Sequence, residues 1–426
     1  MSRARIGVFD DLLVKRKFTG GGSVNADEII PRIFDAYDAL YLPKIRTMQN
    51  LANTEAEFVL RNLEKLESDG IKVSKSFKNL LERSTYDKLE RMNSKMILKE
   101  YSNETINFDL LFDNDFSPSL FPNPLFKGEV IEVSRINKVN VGLVLRGFSC
   151  INRTNSIDLI KLILKNEFSE LTSVTSIKRY LSFGLHPYYD FYLINSLVNN
   201  RNVKFVGLVN NSILSHHPKL DLAKGKIRVL YPSDASRFSS VSQQRKDDYL
   251  LFYSRLVPEK GIFEIPLIMK HLSDMNFKIK LKVAGKFPYK EDEAEFFKMV
   301  VNLGLRDMIE YLGFLEDAEL EGVLAGANVL IYPSHSDTYS ITITEALLKK
   351  TRVVAYDIRA LNNIYGHIPE TYFVKEYDTY SFALKVREVA YRKEFDVGPI
   401  YSEFSKNHSS YDVVFQKLTD VIDEYI

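Results

Sequence analysis

Two long stretches of the sequence alternate short apolar, β-branched runs with helical patterns, and a polar stretch separates them. This alternation is typical of βαβ units, whose strands form a parallel sheet. The separating segment, DASRFSSVSQQRKDD at 234–248, is rich in hydroxyl groups and has no hydrophobic period, which favours a linker. At 426 residues the chain is also too long for one ordinary core. We therefore expect two tandem α/β domains.

The first domain is predicted over 1–233 and the second over 249–400. In the first domain, strands are predicted in ARIGVFDDLLV and ALYLP and at 107–115, 140–148, 171–177, 202–209 and 226–233. In the second domain, they are predicted at 249–255, 279–285, 308–313, 328–334, 352–357 and 371–375. A charged, heptad-like segment at about 52–101 interrupts the first domain. An inserted helical hairpin that packs on the domain is favoured there over a helix for a membrane or a partner.

Charge and cysteine content exclude several classes of protein. Lys plus Arg (57) balances Asp plus Glu (56), so no strong net charge points to nucleic acid or to a purely electrostatic membrane anchor. The single cysteine, Cys150, excludes an intramolecular disulfide and cysteine-based metal sites. The segment MSRARIGVFDD lacks the apolar region of a secretory signal, and no run of about eighteen apolar residues is present. These features predict a cytoplasmic protein without a membrane span.

Ligands of open parallel sheets bind beyond the carboxyl ends of the strands, so loops from strand to helix are the places to search. In YSRLVPEKGI, 253–262, Arg255 and Lys260 lie in such a loop, and a helix is predicted to begin near Gly261. Two cations beside the free N–H groups of a helix start suit a phosphate or diphosphate. The alternative is an ordinary solvated basic loop.

The segment SHSDTYSITITEALLKK has the same placement and carries two acids. Asp337 lies in a loop and Glu345 lies eight positions later in a predicted helix, for which Thr338 or Ser340 can serve as N-cap. Asp337 has an alternative role as an acid that stabilises the helix start. Glu345 precedes an apolar run, where an unpaired carboxylate is costly. Because carboxylates accept hydrogen bonds from vicinal hydroxyls, a ribose or hexose would suit both acids.

Residues 250–360 resemble the donor domain of retaining GT-B glycosyltransferases of the glycogen-synthase-like group, glycosyltransferase family 4. That group carries two glutamates separated by seven residues and a Gly-Arg-Leu-x-x-x-Lys-Gly element. The matching residues here are Asp337, Glu345-Ala346, Val353-Val354-Ala355, Ser254-Arg255-Leu256 and Lys260-Gly261. The sequence departs from the pattern at Asp337, which replaces a glutamate, and at Thr338 and Ser340, which replace glycines.

The resemblance implies an α/β protein of the GT-B fold, with two Rossmann-like domains facing across a cleft. It implies a metal-independent, retaining hexosyltransferase that uses a nucleoside-diphosphate sugar, needs no cofactor and does not bind nucleic acid. The acceptor would be a glycan, a lipid-linked molecule or a protein-linked one. A lipid-linked acceptor would place the enzyme peripherally at the inner membrane face. The C-terminal helix, 401–426, would cross back to the first domain.

The resemblance also implies roles for individual residues. Arg255 and Lys260 would hold the diphosphate, Glu345 the ribose hydroxyls and Asp337 the hydroxyls of the donor sugar. Phe314 would lie beside the base. The remaining donor-binding candidates are backbone positions: Tyr339, Ser340 and Ile341 at a helix start, and Gly21 and Gly22 in the GGGS segment of the first domain. For this glycine segment the alternative is a flexible turn.

Two alternative functions are a metal-dependent GT-A transferase, which would use Asp113 and Asp115, and a non-catalytic binder. Asp113 and Asp115 follow an apolar strand, and an Asp-x-Asp of this kind holds a divalent cation in metal-dependent GT-A glycosyltransferases. In the GT-B family the same strand end faces the acceptor, so either Asp113 or Asp115 could contact the acceptor or the transferring sugar, and Asp113 is taken as a catalytic candidate. The chain could also be a non-catalytic binder of nucleotide-sugars or glycans, because its loop after Asp337 is crowded. His335 is left unassigned, close to Asp337.

Overall fold

The computed structural model describes residues 3–10, 21–44, 53–83, 94–116, 128–146, 192–212, 225–238 and 246–426. The chain divides into two compact units. Unit 1 comprises Met1–Tyr231 together with Phe415–Ile426, and unit 2 comprises Pro232–Val414. Each unit contains one six-stranded parallel sheet with helices. The predicted α/β fold class with two Rossmann-like domains is therefore confirmed.

The sheet of unit 1 has the order β2-β1-β3-β4-β5-β6, and all neighbouring strands are parallel. Most strand positions are apolar and buried, as expected when helices cover both faces of a parallel sheet. The strands are β1 Arg5–Asp10, β2 Asp38–Pro43, β3 Leu110–Asp113, β4 Asn140–Leu145, β5 Val203–Leu208 and β6 Ile227–Val229. The strand predicted at 171–177 lies outside the described residues.

The helices of unit 1 include three from the charged segment that interrupts its βα alternation. Val59, Leu63 and Leu66 are buried there at helical spacing, so this segment packs on its own unit. A backbone bridge between Tyr41 and Val73 ties the segment to β2. The described helices are α1 Gly21–Ala36, α2 Asn53–Ser68, α3 Lys75–Arg83, α4 Ser94–Glu104 and α5 Glu129–Asn137.

The sheet of unit 2 has the order β12-β11-β10-β7-β8-β9 and is also parallel throughout. Each predicted strand is present within a few residues of its predicted bounds. The strands are β7 Tyr249–Tyr253, β8 Lys280–Ala284, β9 Ile309–Gly313, β10 Val329–Tyr332, β11 Arg352–Tyr356 and β12 Thr371–Val374. The helices are α6 Glu264–Asp274, α7 Lys290–Asn302, α8 Asp317–Gly326, α9 Ile341–Leu348, α10 Arg359–Tyr365, α11 Thr379–Ala390 and α12 Pro399–His408.

The end of the chain forms α12 and a further helix, α13 Tyr411–Ile422, where one helix over 401–426 was predicted. Residues from Phe415 onwards pack with unit 1. The Tyr37 hydroxyl donates to Asp423 at 2.7 Å, and the Tyr425 ring stacks on that of Phe205 with centroids 5.7 Å apart. Among the helices of the described ranges, none is long and apolar enough to cross a bilayer.

Residues 234–238, which the sequence analysis placed in the linker, pack within unit 2. The amide of Ser236 donates to the carbonyl oxygen of His408 at 2.9 Å. Asp234, Ala235 and Phe238 are buried. Residues 239–245 of the same predicted linker lie outside the described residues. The buried part of the segment brings Arg237 into the interior of unit 2.

Candidate functional site

The candidate site lies where the strand order of the second sheet reverses. The chain moves from β7 to β8 on one side and reaches β10 on the other side of β7. Ligands of open parallel sheets bind beyond the carboxyl ends of the strands at such a reversal, and the loops that leave β7 and β10 both begin there. The loop after β7 carries Arg255 and Lys260, and the loop after β10 carries Asp337.

Gly261 allows these two loops to touch. Its φ is +80°, and an added Cβ would lie 2.1 Å from the carbonyl oxygen of Pro333, so the position requires a glycine. The contact continues with the amide of His335, which donates to the carbonyl oxygen of Glu259 at 2.9 Å. The Lys-Gly pair of the sequence thus has a structural function, because the glycine lets Lys260 approach the loop after β10.

Lys260 and Asp337 form an ion pair between the loops. The distance from Nζ to Oδ1 is 2.7 Å, and the two side chains are only 13% and 10% exposed. The other carboxylate oxygen, Oδ2, accepts from the hydroxyls of Tyr332 at 2.8 Å and Ser334 at 2.9 Å. Lys260 also donates to the carbonyl oxygen of Ser336 at 2.8 Å. The structure therefore brings the predicted phosphate cation and the predicted sugar acid together as each other's counter-ions.

Glu345 lies in the second turn of α9 and is fully buried. Its Oε1 accepts from Nε of Arg237 at 2.9 Å, and its Oε2 accepts from the Tyr253 hydroxyl at 2.6 Å. Burial raises the pKa of Glu345 above its usual range, and the attraction of Arg237 and the hydrogen bonds from Tyr253 and Arg237 oppose that rise. Arg237 also pairs with Asp317, with 2.6 Å from Nη1 to Oδ1.

Arg237 and Tyr253 are the residues of this site that the sequence analysis missed. Arg237 lies in the segment interpreted as a linker, and Tyr253 ends an apolar strand. The available signal was the cost of burying Glu345, since a buried carboxylate needs a cation or hydrogen-bond donors. This cost predicts that Glu345 has a cationic partner, but the sequence does not show which of the 57 lysines and arginines it is.

The start of α9 is anchored by hydrogen bonds inside unit 2. Ser340 is the N-cap, and its hydroxyl accepts from the amide of Ile343 at 3.2 Å. Its carbonyl oxygen accepts from the Tyr365 hydroxyl at 2.8 Å. Tyr339 and Ile341 are buried on either side of the cap. That the amides here contact phosphate stays a prediction.

Arg255 and Phe314 are the exposed candidates at this edge of the sheet. Within the described part of the chain, the guanidinium of Arg255 forms no hydrogen bond or ion pair. Phe314 is 47% exposed and follows Gly313, whose φ is +71°. An exposed, unpaired cation and an exposed ring are accessible to a ligand, and their predicted contacts with diphosphate and base stay predictions.

His335 lies in the same loop as Asp337 but bonds to residues outside the candidate set. Nε2 is 2.7 Å from Oε1 of Glu264, and Nδ1 is 2.9 Å from Oε1 of Glu376. The ring stacks on that of Tyr377, with centroids 4.6 Å apart. Burial opposes a charged ring, but the two carboxylates outweigh it and raise the pKa of His335 above its ordinary value. Both ring nitrogens are occupied, so His335 supports the loop through its neighbours.

In unit 1, Asp113 is paired with a lysine. Its Oδ1 lies 2.8 Å from Nζ of Lys44, and the two side chains are 4% and 12% exposed. Burial raises the pKa of Asp113 to about 7, although Lys44 opposes the rise. Lys44 also donates to the carbonyl oxygen of Asp115 at 2.8 Å. In the described ranges, no group of three or more His, Cys, Asp or Glu side chains could hold a metal ion.

The predicted glycine positions of unit 1 lie at a helix start. Gly21 and Gly22 are the first residues of α1, which follows β1 in the chain. The residues between β1 and α1, including Gly20, lie outside the described ranges. That Gly21 and Gly22 contact a donor stays a prediction.

Comparison with solved structures first identifies the class of fold. A sucrose-phosphate synthase from Thermosynechococcus elongatus aligns with a TM-score of 0.65 and 12% identity, covering 99% of each chain. The Anabaena protein HepE, solved with UDP and glucose, aligns with a TM-score of 0.61 and 14% identity, covering 99% of this chain and 100% of HepE. The fold is therefore that of GT-B glycosyltransferases.

Sequence comparison then narrows the class. Residues 234–400, less than half of the chain, match the family model of Glycosyl transferases group 1. Alpha-monoglucosyldiacylglycerol synthase of Streptococcus pneumoniae is 30% identical over 126 residues, which cover 30% of this chain and 28% of that protein. Five curated relatives are matched over between 28% and 50% of their own lengths. Together the comparisons show a GT-B fold and a second unit that is similar in sequence to glycosyltransferases.

Proposed function

We propose that this chain transfers a hexose from a nucleoside-diphosphate sugar to a glycan, lipid-linked or protein-linked acceptor, with retention at the anomeric carbon. The observation that carries the proposal is the convergence of Arg255, Lys260, Asp337 and Glu345 on the ends of β7 and β10. These residues lie within the segment that matches the group 1 family. The UDP and glucose bound by the Anabaena protein support a nucleotide-sugar as the donor.

The cations act on the leaving group. When the bond between the anomeric carbon and the diphosphate oxygen breaks, negative charge develops on the diphosphate. Lys260 uses two of the three N–H groups of its ammonium on Asp337 and Ser336, which leaves one for a phosphate oxygen. Arg255 adds an exposed guanidinium. Charges held in place before the reaction stabilise the transition state without reorganisation. In front-face attack the acceptor oxygen bonds to the anomeric carbon as the diphosphate oxygen leaves and takes the hydroxyl proton, so no enzyme nucleophile is needed.

The acids act on hydroxyl groups. Asp337 accepts three hydrogen bonds, from Lys260, Tyr332 and Ser334, while a carboxylate offers about four lone-pair sites. One site therefore remains for a sugar hydroxyl. Because Lys260 contacts both Asp337 and the proposed diphosphate position, sugar and diphosphate would be held by one connected set of charges.

We further propose that transfer is metal-independent and takes place in the cytoplasm or peripherally at the inner membrane face. The ion pair between Asp113 and Lys44 supports metal independence, because it occupies the carboxylate that a GT-A-type cation site would use. The second complete α/β unit is a further feature that a GT-A fold does not supply.

A thermal-shift screen of nucleotide-sugars tests the proposal, since a ligand that binds only the folded state raises the unfolding midpoint. The best stabiliser is then assayed for hydrolysis or transfer with and without a chelator. We expect chelator-insensitive turnover that is lost in Glu345→Ala and Arg255→Ala and kept in Arg392→Ala, which removes an exposed ion pair with Glu388. Binding without turnover across a broad acceptor panel would instead indicate a non-catalytic binder.

A further inference from the structure

Among the described residues, one cation lies next to the buried acid of α9, and it comes from a segment that was not predicted to be part of the site. Glu345 has no exposed side-chain surface, and Nε of Arg237 is 2.9 Å from its Oε1. Arg237 is held in turn by its own segment, where Ser236 bonds to His408 and the Tyr339 hydroxyl bonds to Asp234 at 3.4 Å. This anchoring makes the approach of Arg237 to Glu345 part of the folded unit.

Arg237 also reaches towards the loop that carries Phe314. Its Nη1 lies 2.6 Å from Oδ1 of Asp317, the first residue of α8 and three positions beyond Phe314. The Asp317 side chain is 66% exposed, whereas that of Arg237 is 17% exposed. The Arg237 guanidinium thus contacts both Glu345, which we expect to bind the ribose, and Asp317, near the Phe314 loop that we expect to lie beside the base. A nucleoside that contacts both positions would pass beside it.

We propose that Arg237 is a positioning residue for the donor nucleotide, holding Glu345 as an oriented carboxylate beside the loop of Phe314. The inference rests on the proposed function, because it takes Glu345 as the acceptor of ribose hydroxyls. Only an ionised carboxylate is purely an acceptor. Each of its oxygens has a second lone pair beyond the bonds to Arg237 and Tyr253, so acceptor capacity remains.

The charge of Glu345 depends on Arg237. The groups that face the acid are Arg237 from the 234–238 segment, Tyr253 from β7 and Asp317 from α8. Tyr253 stays a neutral donor, because burial raises its pKa well above the ordinary value, and Asp317 disfavours a second negative charge. Without the guanidinium, a buried carboxylate takes up a proton, and the protonated oxygen becomes a donor, so part of the acceptor capacity is lost.

Nucleotide binding across pH tests the proposal, with UDP, GDP, ADP and dTDP as probes for the full chain. In Arg237→Gln we expect the tightest-binding diphosphate to bind about tenfold or more weakly at neutral pH, the scale of a lost hydrogen bond to a charged group. Affinity should recover as pH rises, because Glu345 then ionises without its partner. Arg237→Lys, which keeps the charge, should retain most of the affinity.

A matched control separates this effect from a loss of stability. Arg352 forms another buried ion pair of unit 2, with 3.1 Å from Nε to Oε2 of Glu370, but it lies at the amino end of β11, away from the site. Arg352→Gln should lower stability and leave nucleotide affinity unchanged. Equal affinity in Arg237→Gln and the wild type, or a loss of the same factor at every pH, would overturn the proposal.

A second measurement needs no nucleotide. The folded-state pKa of Glu345 is raised, so its contribution to stability is present at low pH and is lost as pH rises through that pKa. In Arg237→Gln this loss should extend to higher pH, and the additional change Glu345→Gln should remove it. If the double variant keeps the same pH dependence, the proposal is wrong. If this measurement succeeds and the wild type binds no diphosphate, the proposed function fails and the ionic role of Arg237 stands.

Discussion

Replacing Gly261 with alanine tests whether the close approach of two loops builds the site. The φ of +80° alone costs an L-residue about 1–2 kcal/mol. The new Cβ would also lie 2.1 Å from the Pro333 carbonyl oxygen and 2.8 Å from its carbonyl carbon and Cγ. Because interiors are close-packed and a backbone carbonyl cannot rotate aside, we expect the two loops to separate by about 1 Å.

That separation acts on the ion pair between the loops. A movement of about 1 Å would carry Nζ of Lys260 beyond hydrogen-bond distance of Asp337, from its present 2.7 Å. A hydrogen bond to a charged group contributes about 1.5–3 kcal/mol. Adding the cost of positive φ, we expect Gly261→Ala to lower the free energy of unfolding by about 2.5–5 kcal/mol. Affinity for the nucleotide-sugar should fall with it.

Gly304 provides the matched control. Its φ is +70°, but an added Cβ meets nothing within 4 Å. Gly304→Ala should therefore lower the free energy of unfolding only by the conformational cost, about 1–2 kcal/mol. Urea unfolding of the wild type and of both alanine variants measures the two losses. If the two alanine variants lose equal stability and bind the nucleotide-sugar equally, the contact at Pro333 does not build the site and our reasoning is refuted.

Three further predictions concern charges. Arg255→Ala should weaken donor binding by about tenfold and leave stability unchanged, because the side chain is exposed and unpaired among the described residues. Lys260→Met should lower both donor affinity and stability, because it removes the ion pair with Asp337. A loss of stability in Arg255→Ala would contradict this prediction. The pKa of His335 is raised in the folded state, so its contribution to stability should be complete below its unfolded pKa of about 6.5 and should disappear as pH rises through the folded pKa. Denaturant unfolding should show this loss in the wild type and not in His335→Gln. The folded pKa of Asp113, about 7, lies above its unfolded value, so unfolding free energy should fall as pH rises towards 7. Asp113→Asn should remove that fall, and its persistence would show that another group is responsible.

The strands predicted within the described ranges were accurate because their signal is local. The run at 279–285 became β8, Lys280–Ala284, and the run at 352–357 became β11, Arg352–Tyr356. Both are short and contain apolar residues that are buried in the sheet, although β8 also carries Lys280 and Lys282. The N-cap Ser340 was one of two predicted candidates for a similar reason, since a cap depends on residues within one turn.

The candidate site could be located from the sequence but not assembled from it. Loops after β7 and β10 could be selected, because carboxyl ends of parallel strands carry ligand sites whatever the strand order is. The sequence also supplied the two cations and two acids. It could not show that Lys260 pairs with Asp337, because the two are neighbours only through the adjacency of β7 and β10 and the close approach at Gly261.

The sequence by itself therefore determined the strands of the described ranges, the two α/β domains and the segments that carry charge, since periodicity and loop chemistry act over a few residues. Only the tertiary structure decided which charges neutralise which. Arg237 and Glu345 are 108 positions apart, and the segment of Arg237 has the composition of a linker. The two side chains pair because the fold brings them close together, and a buried carboxylate is stabilised by whichever cation lies within hydrogen-bond distance.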